Sequence, residues 1–256
     1  DIVDPRAEYT VVDFQRDARA AIQHIHQRGR LPILCGGTGL YLRAVLRHLQ
    51  FPPGPRDRTV RERLQAHAER VGLEVMHARL AELDPVAARL ISPGDGRRII
   101  RALEVIELTG RPISTQRRVD HAAAFQYNAA QYVLALPRPL LFARIDQRVE
   151  AMFAAGWLEE VQALRAQGVS LAHQSMQAIG YRRLMAHLEG QAPAQLRELI
   201  ALIQRDTRRY AKRQLTWLRA EPGYRWLAPA DEAQRQACLT MIVQEAARLR
   251  AAANGG

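Results

Sequence analysis

A chain of 256 residues is long enough for one large globular domain, or for a core with an inserted subdomain. Hydrophobic residues make up 48% and charged residues 25%, which excludes a disordered polar chain and confines expected disorder to the Ala-Asn-Gly-Gly tail. The net charge of +11 favours a polyanionic partner, although arginine-rich composition alone gives the same sum, so position must decide.

There is no signal peptide and no apolar run long enough to span a bilayer, so no membrane partner is expected. Cys35 and Cys238 show neither metal spacing nor a disulfide framework, which suits a reducing cytoplasm. Residue 1 is Asp rather than Met, and the chain enters directly into a loop before a helix, so a truncated sequence is expected.

Thr10-Val-Val-Asp13 reads as a helix start, with the threonine hydroxyl as N-cap. This helix is expected to reach about Arg28 and to stop at Gly29. Leu31-Pro-Ile-Leu-Cys35 is a short apolar run that reads as a buried strand, and Gly36-Gly37-Thr38-Gly39 turns the chain into a helix from Leu40 to His48. Helix, strand, glycine-rich turn and helix predict an α/β fold with parallel strands. Glycines beside a helix start suit a phosphate or simply a tight turn, and no Walker Gly-Lys-Ser/Thr follows.

Phe51-Pro-Pro-Gly-Pro55 reads as a linker. From Arg56 to Leu108 successive helices are expected, broken at Gly72, Asp84-Pro85 and Pro93-Gly94. The expected division is therefore an α/β core of residues 1–52 and 121–256 with an all-helical insertion subdomain of residues 53–120. Within the insertion, Asp95 is a candidate cap for the helix bearing Arg97, Arg98 and Arg101, and Arg97 and Arg101 share a face. The sheet resumes at Gln131–Leu136. Helices follow from Leu140, Leu158 and Gln195, then a short strand at Tyr224–Leu227 and a last helix from Glu232 to Ala252.

The helix after Gln195 carries the clearest physical signal. Arg205, Arg208, Arg209, Lys212 and Arg213 recur at three-four spacing, with Thr216 and Arg219, in one arc, while Leu199, Ile203, Tyr210 and Leu218 fill the opposite arc. Only Asp206 lies near the basic side, so a ridge of guanidiniums suited to phosphate oxygens is expected, or else a charged helix paired to acidic neighbours. Arg144 and Arg148 are four apart after a strand, where they can clamp a diphosphate or pair with Asp146 and Glu150. Ser175 to Arg183 sets Gly180 beside Tyr181 and two arginines, which suits a splayed-out nucleotide or a loop-to-helix joint. No Ser-His-Asp arrangement and no metal-binding histidine spacing is visible.

Five segments in order resemble the tRNA dimethylallyltransferase (tRNA isopentenyltransferase) family over nearly the whole chain. They are Asp1-Ile-Val-Asp-Pro5 with Tyr9 to Phe14; Gly36-Gly-Thr-Gly-Leu-Tyr41; Asp84-Pro-Val-Ala-Ala88 with Asp95 to Gly110; Ile179-Gly-Tyr-Arg182; and Lys212-Arg-Gln-Leu-Thr-Trp217. The resemblance implies a P-loop-kinase-like α/β core with a helical insertion. It implies transfer of the dimethylallyl group of dimethylallyl diphosphate to the exocyclic amine of the adenine beside the anticodon, with Mg²⁺ assisting the diphosphate. Thr38 would lie near the flipped adenine, and Arg148 would contact the diphosphate. Arg61, Arg97, Arg98, Arg101, Gln177, Gly180, Tyr181, Arg182, Lys212, Arg213, Gln214, Thr216, Trp217 and Arg219 would contact the tRNA anticodon stem-loop.

The family's Gly-Pro-Thr-x-Ser-Gly-Lys-Ser/Thr loop and general-base Asp are not present in this sequence. The chain by itself is therefore expected to be inactive, with the Mg²⁺ ligands in the missing segment. A monomer is expected, because no apolar stripe is visibly left over. An adenylate dimethylallyltransferase, a non-catalytic RNA-binding protein and a small-molecule P-loop kinase are the competing readings.

Overall fold

The computed structural model describes residues 2–47, 49, 58–117, 125–191 and 195–254. They form two compact units, one of residues 1–46 and 127–256 and one of residues 47–126. The linker read at Phe51–Pro55 lies outside the described residues, as do the last two residues of the tail.

The first unit opens with helix α1, Val11–Gln27. Its start is a capping box: the Thr10 backbone N–H donates to the Asp13 carboxylate at 2.9 Å, and the Thr10 side chain accepts in return from the Asp13 N–H. The helix ends where Gly29 takes a φ of +65°. Helix α2, Gly39–Leu46, follows after the glycine-rich turn and lies against α1, where Phe14 meets Tyr41 at 4.6 Å between ring centroids.

The run 31–35 is not a strand. No ladder forms along it, Ile33 is 87% exposed and Cys35 is exposed as well. An apolar run becomes a buried strand only when a neighbouring strand satisfies its backbone and another layer covers its side chains. Neither is supplied among the described residues.

Among its described residues the second unit has only helices as regular elements, apart from an isolated bridge between Arg47 and Phe125. It comprises α3 (Arg58–Val71), α4 (Leu73–Leu83), α5 (Pro85–Leu90), α6 (Gly96–Thr109) and α7 (Ile113–Arg117). Each break has a local cause. Gly72 has a φ of +86°, Asp84 caps α5 ahead of Pro85 by accepting from Ala87 N–H, and Asp95 caps α6 by accepting from Arg98 N–H. The apolar stripes of α3, α4, α5 and α6 close on one core centred on Leu64, Met76, Leu80, Ile99 and Leu103.

The first unit resumes with strand β1, Tyr132–Leu134, then α8 (Arg138–Ala154), α9 (Trp157–Ala166), a 3₁₀ turn at Gln174–Gln177, α10 (Ile179–Leu188) and the long α11 (Leu196–Ala220). Strand β2, Arg225–Leu227, pairs parallel with β1 in the register Val133 to Trp226, and α12 (Glu232–Asn254) follows. The sheet among the described residues is thus two parallel strands, and the fold is α/β but mostly helical. A core of Val149, Trp157, Val161, Met176, Leu184, Leu199 and Ile203 binds α8 to α11. Large apolar side chains do remain uncovered, among them Leu134 on β1 and Leu239, Met241 and Val243 on α12. No described helix is long and apolar enough to cross a membrane.

Candidate functional site

Helix α11 is the hub of the first unit, because α2, α8 and α10 all pack against it. Leu199 and Ile203 anchor its buried face with no exposed surface at all. Its basic stripe divides in two. Toward the N-terminus, Arg208 pairs with Asp146 of α8, and Asp206 receives two bonds from Arg183 of α10 at 2.9 and 2.7 Å, with Arg205 and Arg209 within 4.0 Å. Toward the C-terminus, Lys212, Arg213, Thr216 and Arg219 are exposed, and no ion pair engages the three cations among the described residues. The ridge is therefore shorter than the sequence pattern implies. The missing element of that pattern was Asp146, which neutralises Arg208 from another helix.

The other edge of the same two turns faces the glycine-rich turn. Gln214 donates from Nε2 to the Gly37 carbonyl at 3.0 Å. The Trp217 ring lies where a side chain at Gly39 would be, and the Gln214 amide lies where one at Gly37 would be; a Cβ at either glycine would come under 3.0 Å from those groups. Neither glycine has a positive φ, so space rather than backbone conformation requires them. Arg43 of α2 lies 5.2 Å from the Trp217 ring centroid and pairs with Glu221 just beyond α11. Thr38 begins α2, its carbonyl accepting from Tyr41 and Leu42 N–H at 2.9 and 3.1 Å. Its side chain is exposed and makes no hydrogen bond among the described residues.

Arg148 stands on the exposed side of α8 with no ion pair among the described residues, and Arg144 is in the same condition. The Ser175–Arg183 segment is held more firmly than its sequence suggests. Gln174 forms a reciprocal pair with the Tyr9 backbone at 3.0 and 2.9 Å, Ser175 Oγ donates to Pro5 O at 2.6 Å, and Gln177 donates to Leu171 O at 2.6 Å. Gly180 is buried because the Trp157 ring fills the place of a side chain. Tyr181 meets Trp157 edge-on at 5.6 Å and donates its hydroxyl to Glu160 at 2.7 Å; burial, followed by that bond, raises its pKa above the ordinary phenol value. Arg182 projects into solvent. Trp157 and Glu160 escaped the sequence reading, since nothing in their own spacing marks them.

In the second unit, Arg61 of α3 and Arg101 of α6 share the buried carboxylate of Glu104 at 3.3 and 2.9 Å, while Arg97 and Arg98 are exposed. Asp84 is buried: desolvation pushes its carboxyl up, but bonds from Ala87 and Ser114 outweigh this and leave it below the usual value. Among the described residues no group of three or more His, Cys, Asp or Glu side chains could hold a metal ion.

Residues 1–221 match the model of one protein family, IPP transferase. The chain belongs to the IPP transferase family. The matched span of this IPP transferase chain runs through Arg61–Glu104 of the insertion and ends at Glu221, the partner of Arg43. Among its relatives are tRNA dimethylallyltransferase 1 of Trichlorobacter lovleyi, 48% identical over 89% of this chain and 74% of the relative, and the tRNA dimethylallyltransferase of Symbiobacterium thermophilum, 47% identical over 89% and 70%. A full-length tRNA isopentenylpyrophosphate transferase from Bacillus halodurans superposes with a TM-score of 0.66 at 35% identity, covering 100% of this chain and 80% of that one. A eukaryotic dimethylallyltransferase described as acting on tRNA gives a TM-score of 0.73 at 26% identity, over 91% of this chain and 60% of that one.

Proposed function

We propose that this IPP transferase is a tRNA dimethylallyltransferase, which transfers the dimethylallyl group of dimethylallyl diphosphate to N6 of the adenine beside the anticodon. The observation that carries the reading is the seating of the glycine-rich turn around Thr38, through Gly37 and Gly39, against the cationic helix α11, in a chain 48% identical to a protein of that name. The exocyclic amine attacks the allylic C1, the C1–O bond breaks, and the electron pair leaves with the diphosphate. The amine then loses one proton to a base; no described residue is assigned that role.

Arg148, free of protein partners among the described residues, supplies fixed positive charge to the leaving diphosphate. Thr38 offers an unspent hydroxyl to the flipped base. Lys212, Arg213, Arg219 and Arg182 meet phosphates of the anticodon stem-loop; Arg97 and Arg98 do the same from the insertion, where Arg61 and Arg101, paired to Glu104, reach the RNA with the donors that pairing leaves over. Gln177, Gly180 and Tyr181 support this by shaping the segment that presents Arg182. Mg²⁺ would offset diphosphate charge when bound; among the described residues no cluster of three or more His, Cys, Asp or Glu side chains is placed to hold it.

The test is single-turnover transfer by the complete protein from labelled dimethylallyl diphosphate, with tRNA and adenosine monophosphate in competition. Label in the tRNA nucleoside is expected; label in the free nucleotide instead would overturn the reading. Arg148→Ala should raise the KM for dimethylallyl diphosphate by about ten- to a hundredfold, the value of one charged hydrogen bond, with tRNA affinity unchanged. A normal KM removes Arg148 from the site.

A further inference from the structure

Gln214 and Trp217 sit three residues apart on α11, on the side opposite the exposed cations Lys212 and Arg219, with Arg213 on the flank between. We propose that these two side chains are positioning residues that set the Thr38 hydroxyl for transfer, rather than contacts to the RNA. The proposal rests on the reading of Thr38 as the group that meets the adenine.

Two independent contacts bracket Thr38. Before it, Gln214 holds the Gly37 carbonyl at 3.0 Å. That oxygen belongs to the rigid peptide plane joining Gly37 to Thr38, so fixing it fixes the direction in which the Thr38 chain leaves the turn. After it, the Trp217 ring lies on Gly39, occupying the space a Cβ would need. The ring is itself confined, with Arg43 at 5.2 Å from its centroid and Arg43 tied to Glu221. The carbonyl of Thr38 is committed to the first turn of α2 through Tyr41 and Leu42. The hydroxyl is thus the side-chain group of Thr38 left for a ligand among the described residues, and the backbone is held on both sides.

One amide N–H of Gln214 is committed to Gly37, and both Gln214 and Trp217 are half-buried. An RNA contact that reoriented the amide would break that hydrogen bond, and one through the ring would displace the indole. A positioning role uses both groups as they stand. It also gives α11 two tasks over the same two turns: one edge presents cations and the other holds the reactive turn, so docking of a phosphate backbone on the first edge is registered against Thr38 on the second.

The variants Gln214→Met and Trp217→Phe separate the two roles, measured in the complete protein against Thr38→Ala. Single-turnover transfer at saturating tRNA should fall by about tenfold or more, as a small misplacement of a reacting group does. The tRNA Kd should stay within about twofold and its salt dependence should not change. Hydrogen exchange should quicken at the amides of Tyr41 and Leu42, which depend on the Thr38 carbonyl. A weaker Kd with the saturating rate intact would make the pair RNA contacts and overturn the proposal. An unchanged rate and unchanged exchange would overturn it equally. If one variant fails to fold, by circular dichroism, the other carries the comparison. A neutral Thr38→Ala brings down the reading of Thr38 and this proposal together; a slow Thr38→Ala beside two neutral α11 variants brings down the proposal alone.

Discussion

Replacing Gly180 by Ala tests the packing that presents Arg182. Alanine is favoured over glycine inside a helix by about 1 kcal/mol, so propensity alone predicts a more stable protein. The structure predicts the opposite. A Cβ at Gly180 would come under 3.0 Å from Cζ2 and Cη2 of Trp157. The indole cannot step aside, since it is 7% exposed and wedged between Phe153 at 5.7 Å and Tyr181 at 5.6 Å. Overpacking a filled core costs about 1–3 kcal/mol, and so close an approach belongs to the upper part, about 2–3 kcal/mol, above the propensity gain. The net loss of about 1–2 kcal/mol lowers Tm by roughly 2–8 °C for a chain of this size. Thermal unfolding followed by circular dichroism measures it. Gly94→Ala, where a Cβ meets nothing within 4 Å, is the control and should stay within about 0.5 kcal/mol of the parent. Trp157→Leu added to Gly180→Ala should recover part of the loss. An unchanged or raised Tm for Gly180→Ala would refute the claim that the indole holds this joint.

Arg213→Ala should flatten the salt dependence of tRNA binding by about one unit, the share of one lost phosphate contact; the parent slope would remove Arg213 from the interface. Arg208→Ala should instead destabilise the protein by about 1 kcal/mol, because it strands Asp146 at the α8–α11 contact, and should alter the slope less than Arg213→Ala does. Equal slopes with an unaltered Tm would show that the Asp146 pair does not hold Arg208. Asp84 predicts a pH dependence for the helical insertion. Its folded carboxyl lies below the unfolded value, so the unfolded chain takes up the proton first. Its contribution is complete above the unfolded value near about pH 4 and is lost as pH falls through the lower folded value. Asp84→Asn should be less stable at neutral pH, since an amide cannot accept from both Ala87 and Ser114 with the same two atoms, yet should lose less on acidification. A parent and variant with parallel pH profiles would exclude Asp84 as the source.

What the sequence reveals here is what its neighbours in the chain determine. Thr10 and Asp13 mark the start of α1, and Gly72, Asp84 with Pro85, and Asp95 mark the breaks in the insertion, because caps act across three residues. The strands at 132–134 and 225–227 lie inside the apolar run Gln131–Leu136 and the aromatic-rich Tyr224–Leu227 that read as strands. The run 31–35 had the same composition, but a strand is made by its neighbour and none pairs with it among the described residues. Periodicity placed the cations of α11 on one side, yet it could not disclose Asp146, 62 residues earlier, which claims Arg208. The glycines at 37 and 39 looked like turn or phosphate residues. Their requirement is spatial and comes from Gln214 and Trp217, the former 177 positions away from Gly37.

The clasp between residues 5–9 and the 3₁₀ turn has a consequence for biosynthesis. Tyr9 waits for Gln174 across 165 residues and Pro5 waits for Ser175 across 170, whereas the helical insertion closes its core within residues 64–103. On a ribosome the insertion can therefore complete itself while residues 2–10 are still unanchored. A nascent chain halted before Gln174 should yield to protease within residues 2–10 and resist within the insertion, and residues 2–10 should become resistant once the turn has emerged.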